Sequence, residues 1–291
     1  MLPRVTLLSG LIMLTLLSAI GDSAAATGLP QRVAFVSADG KTKLVGYLFK
    51  QSKMPAPRVP AVVLMHGRTG AYSSGADGVY DASTLSRRHR MWGEVWAEAG
   101  YIAILVDGFG PRGYPKGFPR FSYDRRPPEV NEVTIRPLDA YGALAYLRSR
   151  PDVIPDRIGL MGWSNGGSAT LGAMSVAAPG IKAPTPKTGF RAALAFYPAC
   201  GLRGRFDDGY RPYAPVRVFH GTDDEEVSPR LCSALVEKSR ALGGDITIRV
   251  YDGATHSFDD PGRKRQRLAA NAAAIEDAVE RALRFFSREL R

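Results

Sequence analysis

The sequence predicts one α/β domain: a mostly parallel sheet of about eight strands with helices on both faces. Three observations carry that expectation. Strand-like and helix-like segments alternate along the chain; two of the strand-like runs, Ala61 to Met65 (AVVLM) and Tyr101 to Val106 (YIAILV), are continuously apolar; and no linker-like stretch divides them. Continuous apolar runs of that length suit strands covered on both faces, as parallel sheets require. With 291 residues, 45% hydrophobic and 23% charged, the chain is long enough for one large core.

The first segment reads differently. Arg4 precedes an apolar run from Leu7 to Leu17, and Ser23-Ala24-Ala25-Ala26 supplies small residues suited to a signal peptidase. Residues 1–26 are therefore expected to be a secretory signal peptide, cut near Ala25 or Ala26, since the run is short for a bilayer span. The domain is then 27–291, exported to the periplasm or secreted, with no stable membrane insertion after cleavage.

The elements follow in order. Arg32 to Val36 and Leu44 to Phe49 are strand-like, joined by the hairpin-type turn Ala38-Asp39-Gly40-Lys41. Ala61 to Met65 is a buried strand. Trp92, Val95, Trp96 and Ala99 recur at helical spacing, and Gly100 ends that helix before the strand from Tyr101. Leu138, Tyr141 and Leu144 mark a helix behind Pro137, and Ile158 to Met161 is the next strand. A small-residue helix is expected from Ser168 to Ala178, then strands at Ala192 to Phe196 and Val216 to Phe219. Ser228-Pro229 is a suitable cap and first-turn pair for a helix through Leu242. Ile246 to Tyr251 is the last strand. Leu268, Ala272, Ile275, Val279, Ala282 and Phe286 give the closing helix an apolar stripe.

The formal charge of +11 admits attraction to nucleic acid or anionic surfaces. The charges are dispersed, however, and Arg281, Arg284, Arg288 and Arg291 lie at helical spacing as a solvated face, so nucleic acid is not an expected partner. The two cysteines, Cys200 and Cys232, form a candidate disulfide in an exported protein, brought together by neighbouring parallel strands.

Chemistry concentrates at Gly162-Trp163-Ser164-Asn165-Gly166, which fits G-x-S-x-G between a strand and a helix. A serine on so tight a turn is forced outward, at a helix N-terminus. Its hydroxyl needs a base, and the base an orienting acid. Of the four histidines, His89 sits in the basic run Arg87-Arg88-His89-Arg90, which suits a surface, while His66 and His220 each precede glycine at a strand end. His256 follows the final strand, where loops converge on the crevice of such sheets, and is the expected base. The acid comes from Asp223-Asp224-Glu225-Glu226, where Asp223 and Asp224 both have the short side chain required; the other acids read as a solvated turn. The backbone N–H of Asn165, after the nucleophile, is an expected oxyanion donor.

These motifs, with His66-Gly67-Arg68-Thr69-Gly70, Asp107-Gly108-Phe109-Gly110-Pro111-Arg112-Gly113 and Gly253-Ala254-Thr255-His256-Ser257-Phe258, resemble the dienelactone hydrolase family of the α/β-hydrolase fold across nearly all the mature chain. The resemblance implies that H-G-x-x-D-x-x-V places the acid at Asp224, in the order Ser164, Asp224, His256. It also implies that the backbone N–H of Arg68 is the second oxyanion donor. The family's namesake enzymes carry cysteine where this chain has Ser164, so esters in general, or a small lactone, are the implied substrates. Loops 70–84, 107–131 and 201–215 are expected to shape specificity, with Trp163, Phe109 and Arg112 as substrate contacts. No metal-ligand spacing and no phosphate or dinucleotide fingerprint is visible, so no cofactor is expected. A peptidase or amidase with the same triad is the alternative within the enzymes. A non-catalytic binding protein on this fold is the alternative outside them.

Overall fold

In the computed structural model, which describes residues 28–290, eight strands form one sheet. The expected signal peptide, 1–26, lies outside the described residues. The strands are β1 (Gln31–Val36), β2 (Lys43–Phe49), β3 (Val59–Met65), β4 (Ile102–Asp107), β5 (Val153–Trp163), β6 (Ala192–Phe196), β7 (Val216–Asp223) and β8 (Ile246–Thr255). Their order is β1-β2-β4-β3-β5-β6-β7-β8, with β1, β2 and β4 paired antiparallel and every other pair parallel.

The strands divide their side chains by the two-residue period of extended backbone. On β3, Ala61, Val63 and Met65 join one buried cluster and Val62 and Leu64 the other; Ile102, Ile104 and Val106 of β4 likewise part from Ala103 and Leu105. Helices α2 (Arg136–Arg148), α3 (Asn165–Met174) and α4 (Pro229–Ala241) cover the first face. Helices α1 (Arg87–Glu98) and α6 (Ala269–Glu289) cover the second, with the short α5 (Arg263–Gln266) leading into α6. Among the described residues no helix is long and apolar enough to cross a membrane.

Several boundaries differ from the sequence reading. Helix α3 begins at Asn165, three residues early, because Gly166 and Gly167 belong to the helix: a Cβ on Gly166 would lie 2.0 Å from the Met65 carbonyl oxygen. The buried stripe of α6 runs through Ala274, Ala278, Ala282 and Phe286, while Leu268 is 47% exposed. Small residues there lie against the sheet, and Val279 packs partly buried beside them. Ser228 precedes α4 but its side chain makes no capping bond, so Pro229 does the initiating.

Cys200, after β6, and Cys232, in α4, are bonded, with Cα atoms 5.0 Å apart. The bridge closes a loop spanning 32 residues, and removing it is expected to cost about 3–4 kcal/mol in the chain-entropy model. Urea unfolding of the double variant Cys200→Ser, Cys232→Ser measures this. An unchanged midpoint would show that the bridge adds no stability.

Candidate active site

Strand order turns back on itself around β3, whose neighbours are β4 and β5, and ligands bind such sheets in the crevice beyond the strand ends at that point. Both strands deliver a turn there. After β5 the chain bends so sharply that Ser164 takes φ 52°, ψ −116°. Only glycine permits the approach: a Cβ on Gly162 would lie 2.2 Å from the Gly166 carbonyl oxygen. The Ser164 N–H donates to Phe196 O at 2.9 Å, and its own carbonyl accepts from Ser168 N–H at 2.9 Å. Asn165 is the first helical residue, so its N–H has no acceptor one turn back and is free to face the crevice. After β3, Gly67 and Arg68 face that turn; a Cβ on Gly67 would sit 3.3 Å from Trp163 O.

His256 and the acid loop complete the constellation. His256 Nε2 lies 3.1 Å from Ser164 Oγ, and its Nδ1 is 2.8 and 3.0 Å from the two oxygens of Asp224. With Asp224 ionised, Nδ1–H donates to it and Nε2 is left to accept from the serine hydroxyl. Asp224 is itself held by the backbone N–H groups of Glu226 and Val227, both at 2.9 Å. Asp223 instead faces out and accepts from the Thr222 hydroxyl at 3.0 Å. The rest of the acidic run is not the solvated turn expected. Glu225 accepts from the backbone N–H of His256 at 2.8 Å. Glu226 lies 3.8 Å from His256 Nε2 and takes two bonds from Arg68, each 2.9 Å. Burial opposes the charge on Glu226, but the Arg68 bonds, with the neighbouring positive charges, hold it at about 2.

The other histidines are interior. His89, expected at the surface, is fully buried, with Nδ1 2.9 Å from Ala71 O and 2.8 Å from Ser86 Oγ. The helix turns it under the sheet's loops while Arg87 stays outside. His66 shares Nδ1 with Gly67 O at 2.7 Å and accepts from Gly108 N–H at Nε2, 3.2 Å. Burial, then the charge of Arg88, pushes His89 down to about 3; burial, then Arg136, pushes His66 well below its ordinary value. The unfolded chain therefore binds more protons than the folded one below about pH 6.5, and stability falls as pH falls. The unfolding free energy measured in urea is expected to drop between about pH 7 and about pH 5, by about 2 kcal/mol for one fully buried histidine, and the midpoint with it. A midpoint that holds steady would contradict neutral burial.

A cavity of about 490 Å³ opens beside Ser164. Its walls are Phe121, Tyr123 and Arg126 from the expected loop 107–131, Leu202 and Arg203 from the expected loop 201–215, Cys200 just before it, and Leu231 of α4. The loop 70–84 lines a separate, more polar cavity of about 630 Å³, with Arg68 and Glu226 standing between the two. The three expected substrate contacts lie elsewhere. Trp163 is fully buried and donates from Nε1 to Asp259 at 2.7 Å. Phe109 is fully buried, edge-on to His66 at 4.5 Å. Arg112 is committed to Asp139 through two 2.8 Å bonds. Phe109 and Arg112 are on the expected loop 107–131 and turn inward to hold it, while Trp163 ends β5 and points into the core.

The sequence reading also missed a buried node behind the base. The Tyr197 ring lies 4.6 Å from the His256 ring, and its hydroxyl donates to Asp259, which also accepts from Trp92 Nε1 at 2.8 Å. Arg88 donates to the Tyr197 hydroxyl at 2.8 Å. Nothing in the spacing of these residues, far apart in the chain, marks them as neighbours.

The model of the dienelactone hydrolase family matches residues 45–290. The probable 2-oxo-3-(5-oxofuran-2-ylidene)propanoate lactonase of a Bradyrhizobium species is 24% identical over 195 residues, 61% of this chain and 70% of that protein. A dienelactone hydrolase-like promiscuous phosphotriesterase from metagenomic libraries superposes with a TM-score of 0.63 at 19% identity, covering 91% of this chain and 100% of that one. A thermophilic esterase from Thermogutta terrifontis, solved with propionate bound, gives 0.59 at 21% identity over 88% of this chain and 94% of that one. At those identities the structural likeness is one of fold, the α/β-hydrolase sheet.

Proposed function

The chain belongs to the dienelactone hydrolase family, and within it we propose an exported serine carboxylesterase that acts on a small ester or lactone through an acyl-enzyme. One observation carries this reading: an unbroken line of hydrogen bonds from Ser164 Oγ through His256 to Asp224, opening onto a cavity of about 490 Å³. His256 Nε2 takes the serine proton as Oγ attacks the ester carbonyl. Asp224 fixes the ring so that Nε2 is the basic nitrogen, and stabilises the imidazolium that forms. The backbone N–H groups of Asn165 and Arg68 receive the oxyanion, and each such donor contributes about 3–4 kcal/mol to the transition state in comparable sites. The imidazolium then protonates the departing alcohol, and water, activated by the same nitrogen, releases the acid.

The apolar residues Phe121, Leu202 and Leu231 in the cavity wall favour an uncharged acyl group there. Export is supported by the leader-like residues 1–26 and by the bridge between Cys200 and Cys232, a bond at home in oxidising compartments. The test is a fluorophosphonate probe followed by peptide mapping, alongside turnover of p-nitrophenyl esters and peptide anilides. Labelling at Ser164 with ester turnover supports the reading. Anilide turnover alone would make the protein a peptidase or amidase, and neither label nor turnover would leave a binding protein.

A further inference from the structure

The backbone at Ser164 (φ 52°, ψ −116°) is one that only glycine adopts freely, and such a conformation lasts only where its surroundings over-determine it. The residue that follows is where they take hold. Asn165 is 4% exposed. Its Oδ1 accepts from Arg136 Nη1 at 2.5 Å, and its Nδ2 donates to Glu132 Oε2 at 3.0 Å. Both partners are fully buried.

Their charges are disposed unusually. Glu132 pairs with Arg203 at 2.7 Å and not with Arg136. Burial opposes its ionisation, but the bonds from Arg203 and Tyr123 keep it below the ordinary carboxylate range. The Arg136 guanidinium sits 4.8 Å over the Phe109 ring, and its Nε and Nη2 have no hydrogen-bond partner. A buried anion and a buried cation thus meet through one side-chain amide. Each is costly to desolvate, and apolar side chains of similar size would fill the space at least as well. What the pair supplies that apolar residues would not is a fixed direction for the Asn165 amide.

We propose that Glu132 and Arg136 are positioning residues for the reaction. By clamping the Asn165 side chain from both ends they hold its backbone N–H at the oxyanion, and through the 164–165 peptide they keep Ser164 Oγ on His256. The inference rests on Ser164 being the nucleophile.

A double-mutant cycle in kcat tests it, using Glu132→Gln, Asn165→Ala and the two combined, with p-nitrophenyl acetate as substrate. Alanine at 165 retains the backbone donor and loses only the clamp. Each single change is expected to lower kcat about 10- to 100-fold, as displacement of a reacting group by about 1 Å does, with KM within about twofold. The combined variant is expected to be no slower than Asn165→Ala to within about twofold, because the clamp is already gone. Arg136→Lys is expected to recover part of what Arg136→Met loses. Multiplying losses, or a kcat for Asn165→Ala within about twofold of the parent, would overturn the clamp. If a buried-charge variant fails to fold, Arg203→Gln unloads Glu132 from its solvent side. A fall in kcat at constant KM then supports the clamp, and a lowered melting temperature with unchanged kcat overturns it. A parent protein that neither turns over esters nor labels at Ser164 removes the serine reading and the clamp with it. An active, labelled parent with unaffected variants removes the clamp alone.

Discussion

Ser164→Ala is expected to lower kcat for p-nitrophenyl acetate by about 10⁶-fold, the loss seen when the nucleophile of a comparable triad is removed. Alanine fits the turn as well as serine does, because the Cβ is retained and the hydroxyl donates only to His256. The cavity and the Asn165 and Arg68 donors stay in place, so KM changes little and a residual rate above that of water persists. Steady-state assays on the purified variant, with circular dichroism to confirm the fold, decide this. Turnover equal to the parent's would move the nucleophile away from Ser164.

The second large effect separates two adjacent aspartates. Asp224→Asn is expected to cost about 10⁴-fold in kcat, because an amide facing Nδ1 favours the tautomer whose proton sits on Nε2, where the base must be free. Asp223→Asn should leave kcat within about twofold, since the Asp223 side chain is exposed and accepts from the Thr222 hydroxyl, away from His256. The reverse ranking would place the acid at Asp223 and contradict the 2.8 Å contact between Asp224 and His256. Measuring both variants at one pH keeps the comparison like for like.

Much of the scaffold was legible because its signals are local. Ala61 to Met65 and Tyr101 to Val106 announce strands covered on two faces, and the glycines at 162 and 166 announce a turn that no larger residue could make. Its place after the last strand singled out His256 as the partner of Ser164, and the family motif pointed to Asp224 over Asp223. Side-chain direction on irregular loops was not legible. Arg112 and Phe109 look like ligand contacts in a loop rich in arginine and aromatics, yet Asp139 and His66, from distant segments, draw them inward. His89 was misplaced for the same reason: a basic neighbourhood in sequence says nothing about which helix face meets the core. Glu132, Arg136 and Asp259 are charged residues whose burial depends on partners many residues away, such as Arg203 and Trp92. No periodicity encodes such meetings.

The serine turn carries an evolutionary tension. Glycine at position 164 would occupy φ 52°, ψ −116° without steric penalty, so drift toward it relieves the fold while erasing the chemistry. Stability and function therefore pull this one codon in opposite directions. On the proposed chemistry, the side chain that strains this turn is the one that supplies the nucleophile.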